Sequence, residues 1–504
     1  MEVNHGCWIR LSKSWKNIGK ILDENVANNK VGKYFKLEER KSCFTRELRA
    51  ATTTFLSMAY VITVISTVLS GTGGTCSGQD GPAFENCVAL VKSDLIVAIS
   101  LVSLLGCFSM GLLANLPFGL APGTGQTMYM AYTLVGLHGS GTGSMSYSNA
   151  LGLWMVEALV FLVISGTGLR AKLGRFIPPA IRLACGIGIG LFMAFVGLQS
   201  EQGVGLIEPS LTSIVQIKDM KSPTLWLGIF GFLIMGIGLA HNVQGSMIYG
   251  ILFVTIISWF RNTPMTYFPK TQLGETRYKY FKKVVDFHKI HKIAGKISFT
   301  SFKKGTTWVS LITLLYIDIL ATTATLYTLA EIGEFINEKG TFENEYIAYM
   351  IDASVTILGS ALGVPPIATY AESATGIKEG GRTGLTAVII GLYFSLSLFF
   401  APLLSNVPPW AIGPSLVMVG AIMMKLAKDI NWGNIKEAIP AFITIILMPL
   451  TSSIPNGIIG GIVVYVVLHF YDWIGWVVKL VFKLIKKNSK GKDDDGLNNT
   501  DINP

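Results

Sequence analysis

Three carboxylates lie inside long apolar segments of this chain: Glu157, Asp318 and Glu372. A charged side chain in such surroundings is costly and is by default a candidate for function. Glu372 is the strongest of the three, because it follows a Pro-Pro break at residues 365–366. A carboxylate there can accept hydrogen bonds from ring N–H and amino groups, such as those of a nucleobase, and can exchange a proton. The alternative is a structural carboxylate at a helix end.

Asp318 is followed by a cluster of threonines. Thr322 stands four positions on and Thr325 seven positions on, so a helix would carry them on one polar face, with Thr323 beside it. This stripe either lines a solute site or joins two helices through the aspartate, and the sequence leaves both interpretations open. For Glu157 a structural role is the favoured interpretation.

A glycine-rich turn is the second chemical feature. Residues 117–127 (PFGLAPGTGQT) hold two prolines and three glycines between apolar runs. Backbone that breaks at membrane depth survives only where it is buried in protein or lines a cavity. Gly125 and Thr127 lie where a half-helix would begin, and its N-terminal N–H groups suit a solute with acceptor nitrogens. The turn lacks the Gly-Lys-Ser/Thr of a phosphate-binding loop.

The elements that must position these residues are membrane spans. Of the 504 residues, 50% are hydrophobic and only 14% are charged, whereas soluble domains carry about 25% charge. The chain is therefore predicted to be an all-α polytopic membrane protein. Its net charge of +10 is no evidence for nucleic acid, because Lys and Arg flank the spans and set their orientation. We expect no cofactor and no metal, since no Cys/His spacing resembles a metal site.

The apolar pattern predicts about fourteen transmembrane segments, of which the third and tenth are broken. An offset of seven between the two breaks (residues 117–127 and 363–373) predicts two inverted repeats of seven spans. The predicted spans are 47–70, 94–114, 122–138, 150–168, 177–198, 223–240, 244–260, 307–330, 345–363, 367–377, 383–404, 411–427, 437–454 and 457–483.

Basic residues near the span ends predict a cytoplasmic N-terminal segment, 1–44, and a cytoplasmic, disordered tail, 486–504. The lysine-rich linker 261–306 conflicts with this orientation, because the span count places it outside. Cys76 and Cys87 share the loop after the first span. If that loop is extracytoplasmic they can form a disulfide, and the sequence leaves this open.

Several motifs together resemble the azaguanine-resistance-type (AzgA-like) purine permeases of the nucleobase–cation symporter-2 group, over residues 32–485. Segments 31–37 and 73–76 look like the plant members of that group. The motifs that carry the resemblance are residues 44–50, 58–60, 117–125, 372–376, 380–387, 399–403 and 445–451.

The resemblance implies a core domain (45–170 and 307–404) that binds substrate against a gate domain (171–260 and 405–485). It further implies elevator-type alternating access, symport of the substrate with H⁺, and a homodimer formed through the gate domains. The implied substrates are adenine, guanine and hypoxanthine, with cytokinins (N6-substituted adenines) as further candidates. An integral location in the lipid of the plasma membrane is expected, with the endoplasmic reticulum as the alternative.

Residue by residue, the resemblance assigns substrate binding to Glu372 and Gly125, with Tyr60 and Ser373 as additional candidates. Glu372 and Asp318 are the candidates for proton coupling. Two positions depart from the family pattern: Thr127 replaces an asparagine, and Ala321 replaces a second aspartate three residues after Asp318. A less charged pocket with a small Ala321 would fit a bulkier N6-substituted adenine.

Two other classes of protein remain as alternatives. One is a carrier of the same fold for another small solute or an anion, although neither broken segment contains Lys or Arg. The other is a non-transporting receptor or scaffold, which the missing aspartate would permit. An enzyme is not expected, because no nucleophile–base or metal-ligand constellation is present.

Overall fold

The computed structural model describes residues 20–76, 81–136, 143–167, 178–199, 203–209, 215–218, 220–243, 245–337, 341–451, 454 and 456–470. The predicted disordered tail, the end of the last predicted span and most of the basic turn between spans four and five lie outside these residues. The chain separates into two compact units, Met1–Ile177 with Ile189–Met424, and Pro178–Gly188 with Lys425–Pro504. Because these units cut across the predicted core and gate boundaries, that domain division stays a prediction.

The described chain is mainly helical, with four short strands. The strands are β1 (Leu120–Pro122), β2 (Ile207–Pro209), β3 (Val215–Ile217) and β4 (Ile367–Thr369). The helices are α1 (Lys30–Tyr34), α2 (Phe44–Met58), α3 (Tyr60–Ser70), α4 (Pro82–Ser109), α5 (Thr124–Met128), α6 (Tyr147–Gly166), α7 (Pro179–Leu198), α8 (Pro223–Ala240), α9 (Ser246–Ser258), α10 (Gln272–Phe281), α11 (Gly305–Ile332), α12 (Glu345–Leu362), α13 (Ser373–Lys378), α14 (Gly384–Ser397), α15 (Ala401–Leu404), α16 (Pro409–Met423), α17 (Ile435–Leu450) and α18 (Asn456–Phe470).

Within the described residues, seven helices are long and apolar enough to cross a membrane. Three further apolar helices, α9, α14 and α18, are shorter. The chain is thus an integral membrane protein of the predicted all-α class, while the count of fourteen spans remains a prediction. In the larger unit α6 packs along α12, and α4 packs along α14. Small residues permit this close approach: a Cβ on Gly391 of α14 would lie 3.2 Å from the backbone oxygen of Leu104 in α4.

Both predicted breaks are confirmed, and they meet. Strands β1 and β4 pair antiparallel, with Leu120 opposite Thr369 and Pro122 opposite Ile367. The ladder continues where Gly123 N–H donates to the backbone oxygen of Pro366 at 2.9 Å. Each break thereby satisfies the backbone groups that the other leaves unpaired, which explains how both persist at membrane depth. A half-helix follows each strand, α5 after β1 and α13 after β4.

Glu47 joins two of the sequence motifs at one end of the molecule. Its carboxylate is fully buried and accepts hydrogen bonds from Arg382 N–H at 3.0 Å, Thr383 N–H at 3.3 Å and the Thr386 hydroxyl at 2.5 Å. An acceptor at the start of a helix satisfies N–H groups that have no partner within the helix. Glu47 therefore anchors the beginning of α14 to α2.

The opposite end carries the disulfide and the basic linker. Cys76 and Cys87 form a disulfide bond, so the open question about this pair is resolved in favour of the bridge. The linker packs beside it: Asp94 accepts hydrogen bonds from His291 N–H at 2.9 Å and Lys292 N–H at 2.6 Å, and Thr75 donates to the Lys292 backbone oxygen at 2.8 Å. The linker and the disulfide loop therefore share one side of the protein.

Candidate substrate cavity

A cavity of about 590 Å³ opens beside the β1–β4 ladder, within the size range of small-molecule sites. Both breaks contribute to its wall. The polar part of the lining includes Tyr60, Thr124, Gln126, Glu372 and Thr375, and the apolar part includes Ile189, Leu239, Met247, Ile317 and Met423. The combination of apolar walls with a few polar groups suits a small, heteroatom-rich solute.

Glu372 forms the polar centre of the cavity. It lies at the N-terminal end of α13, and its Oε1 accepts a hydrogen bond from the Tyr60 hydroxyl at 2.9 Å. Tyr60 itself is 2% exposed and lines the cavity. A carboxylate offers about four acceptor positions on its two oxygens. The tyrosine therefore orients the group while leaving acceptor capacity for a solute.

The glycine turn forms the facing wall. Gly123, Thr124 and Gly125 line the cavity at the first turn of α5, where backbone N–H groups have no partner within the helix. A Cβ on Gly125 would come within 3.3 Å of Ile189 Cγ2. At Gly123 a Cβ would come within 2.0 Å of Gln126 Oε1. The glycines thus allow the backbone to reach the cavity and leave room for the Gln126 amide.

Gln126 connects the cavity wall to the eighth predicted span. Its side-chain amide donates from Nε2 to Asp318 Oδ1 at 2.5 Å. Asp318 is 5% exposed and lies behind Gln126 rather than in the lining. The face of α11 that does line the cavity carries Ile317, Ala321 and Thr325. Of the predicted polar stripe, Asp318 and Thr322 are thus turned away from the cavity, whereas Thr325 lines it. Ala321, in place of the expected aspartate, faces the cavity.

The remaining predicted site residues support the backbone instead of lining the cavity. Thr127 is fully buried and donates to the Gly123 backbone oxygen at 2.7 Å. Ser373 accepts Gly119 N–H at 2.9 Å across the two breaks. Thr323 donates to the Ile319 backbone oxygen, and Thr322 is 2% exposed. Thr127 and Ser373 thus hold the segments that present Gly125 and Glu372.

Other cavity residues are not among the site residues that the sequence predicts. Ser57 and Thr375 line the cavity, one helical turn from Tyr60 and Glu372, so spacing of three residues was the available signal. Tyr370 also lines it, and its hydroxyl donates to the Pro122 backbone oxygen at 2.5 Å. One cation, Lys378, belongs to the lining and is exposed. It lies at the end of α13, outside both broken segments.

Comparison with known proteins identifies the family of this chain. The profile of the xanthine/uracil permeases, described as "Permease family", matches residues 47–460. The chain is 41% identical over 486 residues to "Efflux pump notK'" of Aspergillus versicolor, covering 89% of this chain and 84% of that protein.

Two bacterial relatives carry more specific names. "Guanine/hypoxanthine permease PbuO" of Bacillus subtilis is 30% identical, with 86% of this chain and 93% of the relative covered. "Adenine permease AdeP" of Escherichia coli is 29% identical, with 86% and 89% covered.

The fold is shared with solved transporters. The transmembrane domain of the cyanobacterial bicarbonate transporter BicA superposes with a TM-score of 0.54 at 13% identity, over 83% of this chain and 98% of that domain. The paired breaks, the cavity between them and the match over residues 47–460 agree: the chain belongs to the xanthine/uracil permease family.

Proposed function

We propose that this permease carries purine nucleobases, with adenine, guanine and hypoxanthine as the substrate class. The observation that carries the proposal is the cavity in which the Tyr60–Glu372 pair faces the first turn of α5. The relatives named as adenine and guanine/hypoxanthine permeases support the same substrate class. The AzgA-like subtype and a kinship with its plant members belong to this proposal.

A purine fits the cavity through both its edges and its faces. Glu372 accepts hydrogen bonds from the N–H and amino groups of the base, while the first N–H groups of α5 donate to ring nitrogens. Ile189 and Ile317 form apolar walls for the ring faces. Correct pairing matters because a buried polar group without a partner costs about 1–3 kcal/mol, which disfavours bases with the wrong edge.

Ala321 extends the proposed substrate range to cytokinins. Its side chain faces the cavity and is exposed there, and it is far smaller than the aspartate expected from the resemblance. A substituent on N6 of adenine needs additional space without charge. The cavity next to Ala321 supplies such space.

Transport is proposed to be proton-coupled and of the elevator type. Tyr60 and Glu372 of the lining come from the predicted core segments, whereas Leu239, Asn242 and Met247 come from predicted gate segments. A solute held between two such bodies can be carried when one moves against the other. The apolar side chains Phe230 and Ile237 on α8 point outward, 57% and 61% exposed; they suit lipid or the partner in a homodimer. We propose the plasma membrane as the location, with the endoplasmic reticulum as the alternative.

An anion carrier of the same fold is the competing proposal. Lys378 is a cation in the lining, but it is exposed and lies at the end of α13, six residues beyond Glu372. A carboxylate at the centre of the cavity repels an anion, so the observed arrangement favours a base with N–H groups.

Uptake of radiolabelled adenine, hypoxanthine and a cytokinin into transport-deficient cells tests the proposal. The wild type is compared with Glu372→Ala and with Ala321→Asp at equal surface expression. We expect saturable purine uptake that Glu372→Ala abolishes. Absence of saturable purine uptake by the wild type would favour the scaffold or anion reading. Normal transport by Glu372→Ala would show that Glu372 is not a substrate-binding residue. Loading cells with the base and measuring its exit shows whether the same site also serves export, as the name of the Aspergillus relative suggests.

A further inference from the structure

Three carboxyl side chains from three spans meet behind the cavity. Glu157 on α6, Asp318 on α11 and Asp352 on α12 are 0%, 5% and 2% exposed. Helix α6 packs against both α11 and α12. Next to the carboxyls, the three helices share an apolar cluster of Phe161, Ile319 and Ala353. The carboxyls therefore lie buried between packed helices, next to apolar side chains, where charge is expensive.

Glu157 is the unusual member of this group. Neither of its oxygens has a hydrogen-bond donor, although the side chain is completely buried. Its carboxyl lies within hydrogen-bonding reach of Asp318, and Asp352 is the other charged group that acts on it. Ionised carboxylates only accept hydrogen bonds, so contact between Glu157 and Asp318 becomes a hydrogen bond only when one of them holds a proton. Two like charges side by side in apolar surroundings would repel each other strongly.

The carboxyl pair is connected to the solute cavity by one side chain. Asp318 Oδ1 accepts from Gln126 Nε2 at 2.5 Å, and Gln126 lines the cavity in the first turn of α5. An ionised Asp318 holds the amide through a charge-assisted hydrogen bond, which is stronger than a neutral one. Whether the pair carries a proton therefore changes how firmly Gln126 is held where the solute binds.

We propose that Glu157 and Asp318 together bind the transported proton, and that Gln126 transmits the protonation state of the pair to the base in the cavity. This inference rests on the proposed purine transport and locates its coupling site. It divides the work between two places: Glu372 recognises the base, and the buried pair carries the proton. Because linkage is reciprocal, a bound base must then change the proton affinity of the pair by the same factor as the proton changes the affinity for the base.

Glu157→Gln separates coupling from recognition, since it mimics the protonated acid and leaves every cavity residue unchanged. The purified protein is reconstituted in vesicles, and two activities are measured with radiolabelled adenine: exchange of internal for external adenine, and accumulation driven by a pH gradient. We expect exchange to remain near the wild-type level while accumulation falls by about tenfold or more. The matched control is Glu331→Gln, the same change at an exposed carboxylate near the end of α11, which should preserve both activities.

The possible outcomes separate a failure of the proposed coupling site from a failure of the proposed purine transport. Accumulation by Glu157→Gln at the wild-type level would overturn the inference while leaving purine transport intact. Absence of adenine exchange in the wild type would instead overturn the proposed function. If Glu157→Gln does not fold, equilibrium adenine binding to the purified wild type decides: an affinity that is constant from mildly acidic to mildly alkaline pH rules out a linked proton site, and a pH-dependent affinity that Gln126→Leu flattens supports it.

Discussion

Tyr60 donates its phenolic hydrogen to Oε1 of Glu372 at 2.9 Å, which ties the first apolar helix to the element after the second break. The tyrosine is almost fully buried, so the bond is formed away from competing bulk water. It aims the carboxylate into the cavity without neutralising it. Recognition by Glu372 should therefore depend on Tyr60.

Tyr60→Phe should raise the KM for adenine by about tenfold, because a hydrogen bond to a charged group contributes about 1.5–3 kcal/mol. The ring, and thus the packing, is retained. Uptake kinetics in transport-deficient cells measure the effect. Tyr34→Phe is the matched control: that hydroxyl donates to the Leu112 backbone oxygen at 2.6 Å, outside the cavity. Equal KM values for the wild type and Tyr60→Phe would show that Glu372 does not need the bond.

Ala321→Leu should discriminate between substrates by size. The added carbons would occupy cavity volume next to the base, and steric exclusion in an apolar pocket is worth about 1–3 kcal/mol. We expect uptake of N6-benzyladenine to fall by about tenfold more than uptake of adenine. Competition by each base against radiolabelled adenine provides the measurement. Ala321→Gly should leave the uptake of both substrates unchanged. An equal loss of uptake of both substrates in Ala321→Leu would argue against an N6 pocket at this position.

Gly123→Ala should abolish most uptake. A Cβ there would lie 2.0 Å from Gln126 Oε1, so the amide must leave its place and the bond to Asp318 must break. Uptake at equal surface expression should drop by more than about tenfold, as for other small displacements in a site. Gly305→Ala is the control, since a Cβ there would have no atom within 4 Å. Wild-type uptake by Gly123→Ala would mean that Gln126 is free to move.

The basic linker should be extracytoplasmic. It packs beside the Cys76–Cys87 bridge, and disulfides persist in oxidising compartments. A cysteine in place of the exposed Lys289 should react with a membrane-impermeant maleimide in intact cells. Lys36→Cys, in the N-terminal segment, should react only after permeabilisation. The reverse pattern would invert the orientation of the whole chain.

The contact of the N-terminal residues Lys36 and Arg40 with Glu343 should weaken at acidic pH. Burial alone would raise the pKa of Glu343, but hydrogen bonds from Arg40 and Lys36 outweigh it and hold the pKa below its ordinary value. A depressed carboxyl pKa stabilises the folded contact above the unfolded pKa, and this stabilisation disappears as the pH falls through the folded pKa. The protection of residues 30–41 against hydrogen exchange, relative to the intrinsic exchange rate at each pH, should therefore fall at acidic pH. In Glu343→Gln that acid sensitivity should be absent, and equal acid sensitivity in both would exclude Glu343 as the cause.

The breaks, and the place of Glu372 beside the second one, could be predicted from the sequence, because Pro and Gly inside an apolar run leave few alternatives at membrane depth. Which face of α11 meets the cavity could not be predicted from the sequence. Periodicity shows that Asp318 and Thr322 share a face, but neighbouring helices decide whether that face or the one with Ala321 meets the cavity.

The disulfide shows a similar limit. Two cysteines in one loop permit a bridge, but only their geometry, with Cα atoms 6.0 Å apart, makes it. Gln126 was visible in the turn, yet its partner Asp318 lies in the other half of the chain. Contacts between halves depend on tertiary packing, and a single sequence does not reveal them.

The β1–β4 ladder also constrains how the protein can be made. Its strands are separated by half of the chain, so β1 enters the membrane during synthesis long before β4 exists. Until then the backbone of the first break has no partner, and each exposed N–H or C=O costs several kcal/mol in hydrocarbon. The first half of the chain must therefore be kept out of the lipid, by the insertion machinery or a chaperone, until the second half has been synthesised. A ribosome stalled within the linker would leave an incomplete protein that quality control can recognise by its open ladder.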